Sequence, residues 1–487
     1  MRTLLTVVSL FAPLGLLGCV PKAPAAFVAP DHVRAVRDQI DWDEAGEKAS
    51  AQMADYLRIE SVNPITSNPT GQRDAAQFLA DILAEDGIRS DIIEYRPGHV
   101  NLIATLPGSG EQAPLCLLSH LDVVPGDAEH WDNPPYSGTV DDEGRIWGRG
   151  ALDMKSLGLM EALTMSYLAR LNVPLNRDII LLAVSDEEVD NTGARWVADN
   201  WDDFGCSHLI NEGGIGVEDA LFDGQAAYFI SVGEKGTAWV DIVATGEPSH
   251  GSTPLPDQSP DRLISALSDL ERRKVRYRIP EPMYELLDAV GRHQRGLTGA
   301  VLTRPFWVRT LAKGKLLREP AVRATASNTC NVTGLLGAGS HNTVSGRSVA
   351  HYDCRLQPET EPEAFVDELR DLIRTEGVHI EEVGLVQGSW SPIDDPLYEA
   401  IANYVTEDQP DAVAGPVLSV GFTDSILLRP LGVHAYGIAP IRITQDEAFS
   451  MHGHNEYIRE DDLRDGLYRL LSIVTDQATT TDPQAER

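Results

Sequence analysis

His120 and Asp122 stand two residues apart in the run Leu117-Leu118-Ser119-His120-Leu121-Asp122-Val123-Val124-Pro125. The apolar residues before them read as a strand, so both side chains sit where a strand gives way to a loop. An imidazole there can offer one ring nitrogen to a metal ion, and a carboxylate two residues on can hold the other nitrogen and fix its tautomer. Four more clusters follow. In Trp147-Gly148-Arg149-Gly150-Ala151-Leu152-Asp153-Met154-Lys155 the glycines let the backbone bend and bring Asp153 inward. Ser185-Asp186-Glu187-Glu188 comes directly after an apolar run, and adjacent carboxylates in a dry place repel unless a cation joins them. Asn211-Glu212-Gly213-Gly214 and His452-Gly453-His454-Asn455-Glu456 complete the set. Two His with several Asp and Glu match the donors of a hydrolytic zinc site, holding either one ion or a pair that shares a carboxylate. At this level His454 could take the place of His452, and Glu187 and Glu188 could exchange roles. One such cluster reads as a solvated turn; five, each following a strand-like run, read as one site.

The elements that must position these residues are visible as alternating patterns. Glu44 to Ile59 and Gly158 to Leu171 have helical spacing, and Thr70 to Asp86 is a helix stopped by Gly87. Leu115 to Ser119, Asp178 to Val184 and the short Leu209-Ile210 are strands. This alternation predicts an α/β domain with a largely buried sheet, whose sites form beyond the carboxyl ends of strands. The pattern changes near Gly233. Strands over Thr237–Thr245, Val349–Leu356 and Val378–Val386, with helices over Asp261–Arg273 and Pro362–Glu376, predict a smaller α+β domain with one exposed sheet face. Arg276 to Ala326, rich in Arg, Pro and Gly, reads as irregular. Alternation resumes at Leu397, so the simplest topology inserts the second domain (235–388) into the first (40–234 and 389–478).

At 487 residues the chain exceeds what one core supports, and a formal net charge of −34 argues against a nucleic-acid partner. Arg2 followed by the apolar Leu4–Leu17 stretch reads as an export signal over residues 1–19. It ends in Leu16-Leu17-Gly18-Cys19, similar to a bacterial lipoprotein box. Cys19 would then carry the lipid, and 20–39, with its Pro-Ala pairs, would be a stiff tether on a membrane facing the periplasm or exterior. Cys116, Cys206, Cys330 and Cys354 form no C-x-x-C pair. They read as small buried hydrophobes, with room for one disulfide in an oxidising compartment.

Taken in order, S-H-L-D-V-V-P, G-R-G-A-L-D-M-K, S-D-E-E, N-E-G-G and H-x-x-N-E resemble metallopeptidase family 20, which includes carboxypeptidase G, aminoacylase, carboxypeptidase S and succinyl-diaminopimelate desuccinylase. The resemblance runs from about Met53 to Leu471. It implies a di-zinc α/β catalytic domain with an inserted lid and dimerisation domain, and two Zn2+ per chain, with Co2+ or Mn2+ as substitutes. It assigns one zinc to His120 and Glu212, the other to Glu188 and His452, Asp153 as the bridge, Asp122 as the residue orienting His120, and Glu187 as general base. The Gly246-Glu247-Pro248-Ser249-His250-Gly251-Ser252 segment is similar to the family's lid segment, whose His stabilises the oxyanion, often in a partner subunit. Asn342 and Arg355 correspond to residues gripping the substrate carbonyl and carboxylate, and Gly421-Phe422-Thr423-Asp424 to a pocket segment. Asn342-Thr343-Val344-Ser345 departs from the family's Asn-x-Ile-Pro, and Ile426 stands where relatives often have Arg, which leaves carboxylate recognition to Arg355. The implied activity is hydrolysis of an amide bond beside a free carboxylate, in a small peptide or an N-acyl amino acid, by a homodimer formed through the lid. The competing readings are a lipid-anchored binding protein without catalysis and a single-metal hydrolase.

Overall fold

The computed structural model describes residues 27–63, 68 and 70–479. The export segment, Cys19 and the start of the tether lie outside the described residues. Among the described residues no helix is long and apolar enough to cross a membrane.

Strands that are apolar along their whole length have to be covered on both faces. Leu115–His120 and Ile179–Val184 are buried at every position and lie inside a mixed nine-stranded sheet. Its order is Ser90–Arg96, His99–Leu106, Ile179–Val184, Leu115–His120, His208–Phe222, His434–Ile443, Gln225–Glu234 and Ser389–Trp390, with Val413–Ser419 also beside Gln225–Glu234. Successive side chains go to opposite faces. Leu115, Leu117, Ile179 and Leu181 join the core under helices Trp42–Leu57, Gly71–Glu85, Lys155–Arg170 and Glu460–Ala478. Cys116, Leu118, Ile180 and Leu182 join a second core with Ala194, Val197, Leu428 and Ala435. The first long helix begins at Trp42, ahead of the expected Glu44, because the Asp41 carboxylate caps it by accepting from the N–H groups of Asp43 and Glu44.

The strand expected at Leu209-Ile210 runs from His208 to Phe222. Glycines occur within it where other backbones come close. A Cβ on Gly214 would lie 2.1 Å from the Phe229 carbonyl and 2.4 Å from that of Gly437.

The inserted sheet is antiparallel, in the order Thr329–Leu336, Arg347–Leu356, Gly236–Thr245, Val378–Val386. Helices Ser259–Glu271 and Pro362–Leu372 cover one face through Leu263, Ala266, Phe365 and Val366, while Trp239, Val332 and Val383 stay exposed. The expected irregular stretch 276–326 is instead helical, with Glu281–Arg292, Gly296–Leu302 and Pro320–Thr325 as its main pieces. Pro282 and Pro320 sit in first turns, where a missing N–H costs nothing, so they start helices rather than break them. Leu286 and Val290 pack on Val217, Ala227 and Val413, which places this block on the main sheet.

Two further expectations are corrected. Part of the stiff tether is a helix, Asp31–Arg37, held by buried Val33 and Val36 and by an Arg37–Glu407 ion pair of 2.7 Å. The four cysteines form two disulfides, Cys116–Cys206 and Cys330–Cys354, in place of buried thiols with at most one bridge. Cys330 and Cys354 are direct cross-strand partners, a relation that depends on register and leaves no trace in spacing.

Candidate active site

Parallel strands deliver the predicted residues to one edge of the main sheet. Leu115–His120 ends on His120, the loop after Ile179–Val184 carries Asp186 to Glu188, and Glu212 lies early in His208–Phe222. The connection before helix Lys155–Arg170 supplies Asp153, and the turn before Tyr457–Arg459 supplies His452. Asp186 (φ 75°) and His452 (φ 57°) adopt the left-handed backbone that non-glycine residues avoid, and each lies at or beside a donor.

Asp153 lies between the two imidazoles. Its Oδ1 is 3.1 Å from His120 Nε2, and its Oδ2 is 3.0 Å from His452 Nε2. Glu188 Oε2 is 3.1 Å from His452 Nε2, and Glu212 Oε1 is 3.8 Å from His120 Nε2. His120 with Asp153 and Glu188, and His120 with Glu187 and Glu212, each present ligand atoms within 4.8 Å of one another. Imidazole nitrogens and carboxylate oxygens in two overlapping groups suit borderline divalent cations such as zinc. His452 is the open side of the cluster, with half its side chain exposed, whereas His120 is buried.

Residues around the donors hold them in place. His120 Nδ1 lies 2.8 Å from the main-chain carbonyl of Asp122, which leaves Nε2 to face the cluster. The Asp122 carboxylate does a different job from the one expected. It is 3.9 Å from that ring nitrogen and instead accepts the N–H groups of Asp186 (2.8 Å), Glu187 (3.2 Å) and Glu188 (3.2 Å), plus Asn63 Nδ2 (3.0 Å). It therefore fixes the loop carrying Glu187 and Glu188. Buried Glu456 does the same for Asp153. It accepts the N–H groups of Gly150, Leu152 and Asp153 and pairs with Arg149. The sequence reading gave no role to Asn63, Arg149 or Glu456. Glu456 had a signal, as the last residue of H-x-x-N-E; Asn63 had none.

The expected lid residues find their partners elsewhere. His250 and Asn342 flank one short ladder, where Ser249–His250 pairs with Thr343–Val344. His250 is exposed, with Nδ1 2.7 Å from Ser252 Oγ, and Asn342 bonds Ser340. Among the described residues no hydrogen bond or ion pair joins either to the donors. Arg355 pairs with Asp353 (2.9 Å) and lies over the rings of Trp239 and Phe422, where the lid meets the catalytic domain. Asp424, two residues beyond Phe422, is buried and accepts from Asn191. His454 stacks on His130 and takes no part in the cluster.

Electrostatics match a site built around positive charge. Burial, then the negative charge of Glu212, pushes the Glu187 carboxyl well above its usual range; burial, then Asp153, does the same to Glu212. Burial raises Asp424 to about 7. At His120, burial opposes protonation, but the Asp153 hydrogen bond and the charges of Glu212 and Glu187 outweigh it and raise its pKa well above normal. Hydrogen bonds to Asp153 and Glu188 raise His452 from 6.5 to about 10.

These directions give a pH prediction for cation removal. A group with a raised folded pKa adds stability that is complete below its unfolded pKa and is lost as pH rises towards the folded value. Glu187, Glu212, His120 and His452 are all raised, so the chelated protein is expected to lose stability as pH rises from the ordinary Glu value of 4.5 towards about 10, the raised His452 value. Cation binding sheds those protons and grows tighter over the same window. The gap in Tm between loaded and chelated protein should therefore widen with pH in scanning calorimetry. A gap that narrows would contradict the assignment of these donors.

Comparison with known proteins places this geometry. The model of Peptidase family M20/M25/M40 matches residues 116–476. Mouse (Mus musculus) aminoacylase-1 is 26% identical over 431 residues, covering 86% of this chain and 94% of that protein. Human N-fatty-acyl-amino acid synthase/hydrolase PM20D1 is 25% identical over 439 residues, covering 86% of this chain and 85% of its own length. Among solved structures, the M20 family metallo-carboxypeptidase Sso-CP2 of Sulfolobus solfataricus shares the fold with a TM-score of 0.67 at 19% identity, covering 88% of this chain and 98% of that one. Human carnosine dipeptidase 1 does so at 0.61 and 17%, covering 92% of this chain and 100% of that one.

Proposed function

Because this chain belongs to Peptidase family M20/M25/M40, we propose that it hydrolyses the amide bond beside the free carboxylate of an N-acyl amino acid, using two zinc ions held by the donors above. The carrying observation is Asp153, with one carboxylate oxygen facing His120 and the other facing His452. A carboxylate so placed could serve two cations, and each end has a further acidic donor that would join it, Glu212 at the His120 end and Glu188 at the His452 end. When bound, the cations supply Lewis acidity towards the scissile carbonyl and acidify water. Glu187 has the position for the proton work. It would take a proton from the attacking water and pass it to the leaving nitrogen. His250 and Asn342, side by side on the lid, would hold the developing oxyanion once the lid or a partner's lid reaches the site. Arg355 would meet the substrate carboxylate.

The choice of an N-acyl amino acid over a peptide follows the two sequence relatives named above, both of which carry acyl-amino acid names. The carboxypeptidase and dipeptidase likenesses carry fold alone. A non-catalytic binding protein is disfavoured because the donor set and Glu187 are all in place. We further propose export with lipidation at Cys19, and dimerisation through the lid. The test is a panel of N-acetyl and longer N-acyl amino acids beside dipeptides, each with and without chelator. Chelator-sensitive release of free amino acid from the acyl series, at kcat/KM at least about 10-fold above the dipeptides, is expected. The reverse ranking would make the protein a peptidase, and no turnover in the zinc-loaded protein would reject the proposal.

A further inference from the structure

A second convergence of donors lies at the other end of the main sheet. His208 opens the strand His208–Phe222, His434 opens His434–Ile443, and the two are direct partners in the parallel register. Asp395, the N-cap residue of helix Pro396–Thr406, sits against both. Its Oδ2 is 3.2 Å from His208 Nε2 and 2.6 Å from His434 Nδ1, and the three ligand atoms lie within 4.8 Å of one another. His208 precedes Glu212 by four residues on one strand, about 13 Å at ~3.3 Å per residue, so these donors are separate from the catalytic ones.

The arrangement is braced from behind. Ser207 Oγ is 2.8 Å from His208 Nδ1, which turns Nε2 inward, and the Ser207 carbonyl accepts the His434 N–H at 3.0 Å. The neighbouring Cys206 is tied to Cys116. The other Asp395 oxygen, Oδ1, accepts the Leu397 N–H at 2.9 Å. Each of these second atoms is occupied, and the remaining Oδ2 and ring nitrogens face one point. Asp395 is buried and His208 mostly so, while His434 is 42% exposed, which leaves the cluster open to solvent on that side.

We propose that His208, Asp395 and His434 bind a divalent transition-metal cation, Zn2+ or a close relative, at a structural site distinct from the catalytic cluster. Two imidazoles and one carboxylate, with a fourth position left to water, suit zinc-like ions and disfavour Ca2+ and Mg2+, which take oxygen donors. The site joins His208 of the first catalytic segment to Asp395 and His434 of the second, so a bound ion would clasp the two halves of a domain that the insertion divides. Arg177, whose buried charge acts on Asp395, and the Tyr436 hydroxyl also face this carboxylate. The arginine weakens the attraction for a dication, and without an ion the two imidazoles simply share Asp395 as a hydrogen-bond acceptor.

The test uses the full chain in an Asp153→Ala background, so that the catalytic donors contribute least. After chelation and dialysis against low-micromolar Zn2+ alone, metal content is measured by mass spectrometry, and Tm with and without zinc. One ion per chain and a zinc-dependent rise in Tm are expected. Adding His434→Ala should remove one ion and abolish the rise, and His208→Gln should do the same. The partly exposed His434 can be cut without opening the core, and circular dichroism checks that both variants fold. Equal metal content with and without His434 would overturn the proposal. Ions retained by Asp153→Ala at the catalytic donors would not confuse the result, because the difference between the paired variants still counts this site alone.

Discussion

Glu187→Gln is expected to keep the protein's bound metal and to lower kcat by about 10²–10⁴-fold, the usual worth of a positioned general base. At 1.36 kcal/mol per decade this is about 2.7–5.4 kcal/mol of transition-state stabilisation. The substitution keeps shape and removes the proton acceptor. The loop should hold its place, because it is fixed through its main-chain N–H groups by Asp122, which the change does not touch. Glu187 also groups with His120 and Glu212 within ligand range, so metal content has to be measured beside rate. Retained metal with a collapsed kcat identifies the base. Lost metal with a collapsed kcat makes Glu187 a ligand, and full metal with near-normal turnover moves the base elsewhere.

Asp153→Ala should have the larger effect. Each of its oxygens faces a different imidazole, so in the proposed two-cation site its loss would take a donor from each cation and leave Glu187, Glu188 and Glu212 repelling one another in a buried place. Both catalytic ions should be lost at micromolar free zinc, and turnover should fall to background. This is the whole of an enhancement that for enzymes is about 10⁶-fold or more. His452→Ala serves as the contrast, since it removes one end of the cluster and should leave the ion at the His120 end. Metal counts that fall by the same single ion in both variants would show that Asp153 does not bridge.

How much of this was legible in the chain differs from residue to residue. The donors were readable because metal chemistry limits ligands to a few residue types, and a parallel sheet puts them just after apolar strands. His120, Glu187 and Glu188 follow that rule and Glu212 lies early in a strand of the same sheet, whereas Asp153 and His452 stand in connections outside it and were readable from their motifs; the structure brings all six within reach of one another. The roles of Asp122 and Glu456 were less readable. Both act through hydrogen bonds to main-chain N–H groups of distant loops, and any residue there would offer the same N–H. The helices of 281–325 were hidden by Pro, Gly and Arg, because composition does not tell a proline that starts a helix from one that ends it.

By itself, the sequence determined which side chains can ligate, which segments are apolar enough to be strands inside a sheet, and that a second domain interrupts the first. Those properties are local, set by residue type and by periods of two or 3.6 residues. Only the tertiary structure decided what meets across the chain. It pairs Cys330 with Cys354, turns the Asp122 carboxylate to the Glu187–Glu188 loop, brings His250 and Asn342 together on one short ladder, and sets His208 beside His434 with Asp395 between them. These contacts follow from strand register and loop closure, which depend on the packing of the whole core rather than on any neighbourhood in sequence.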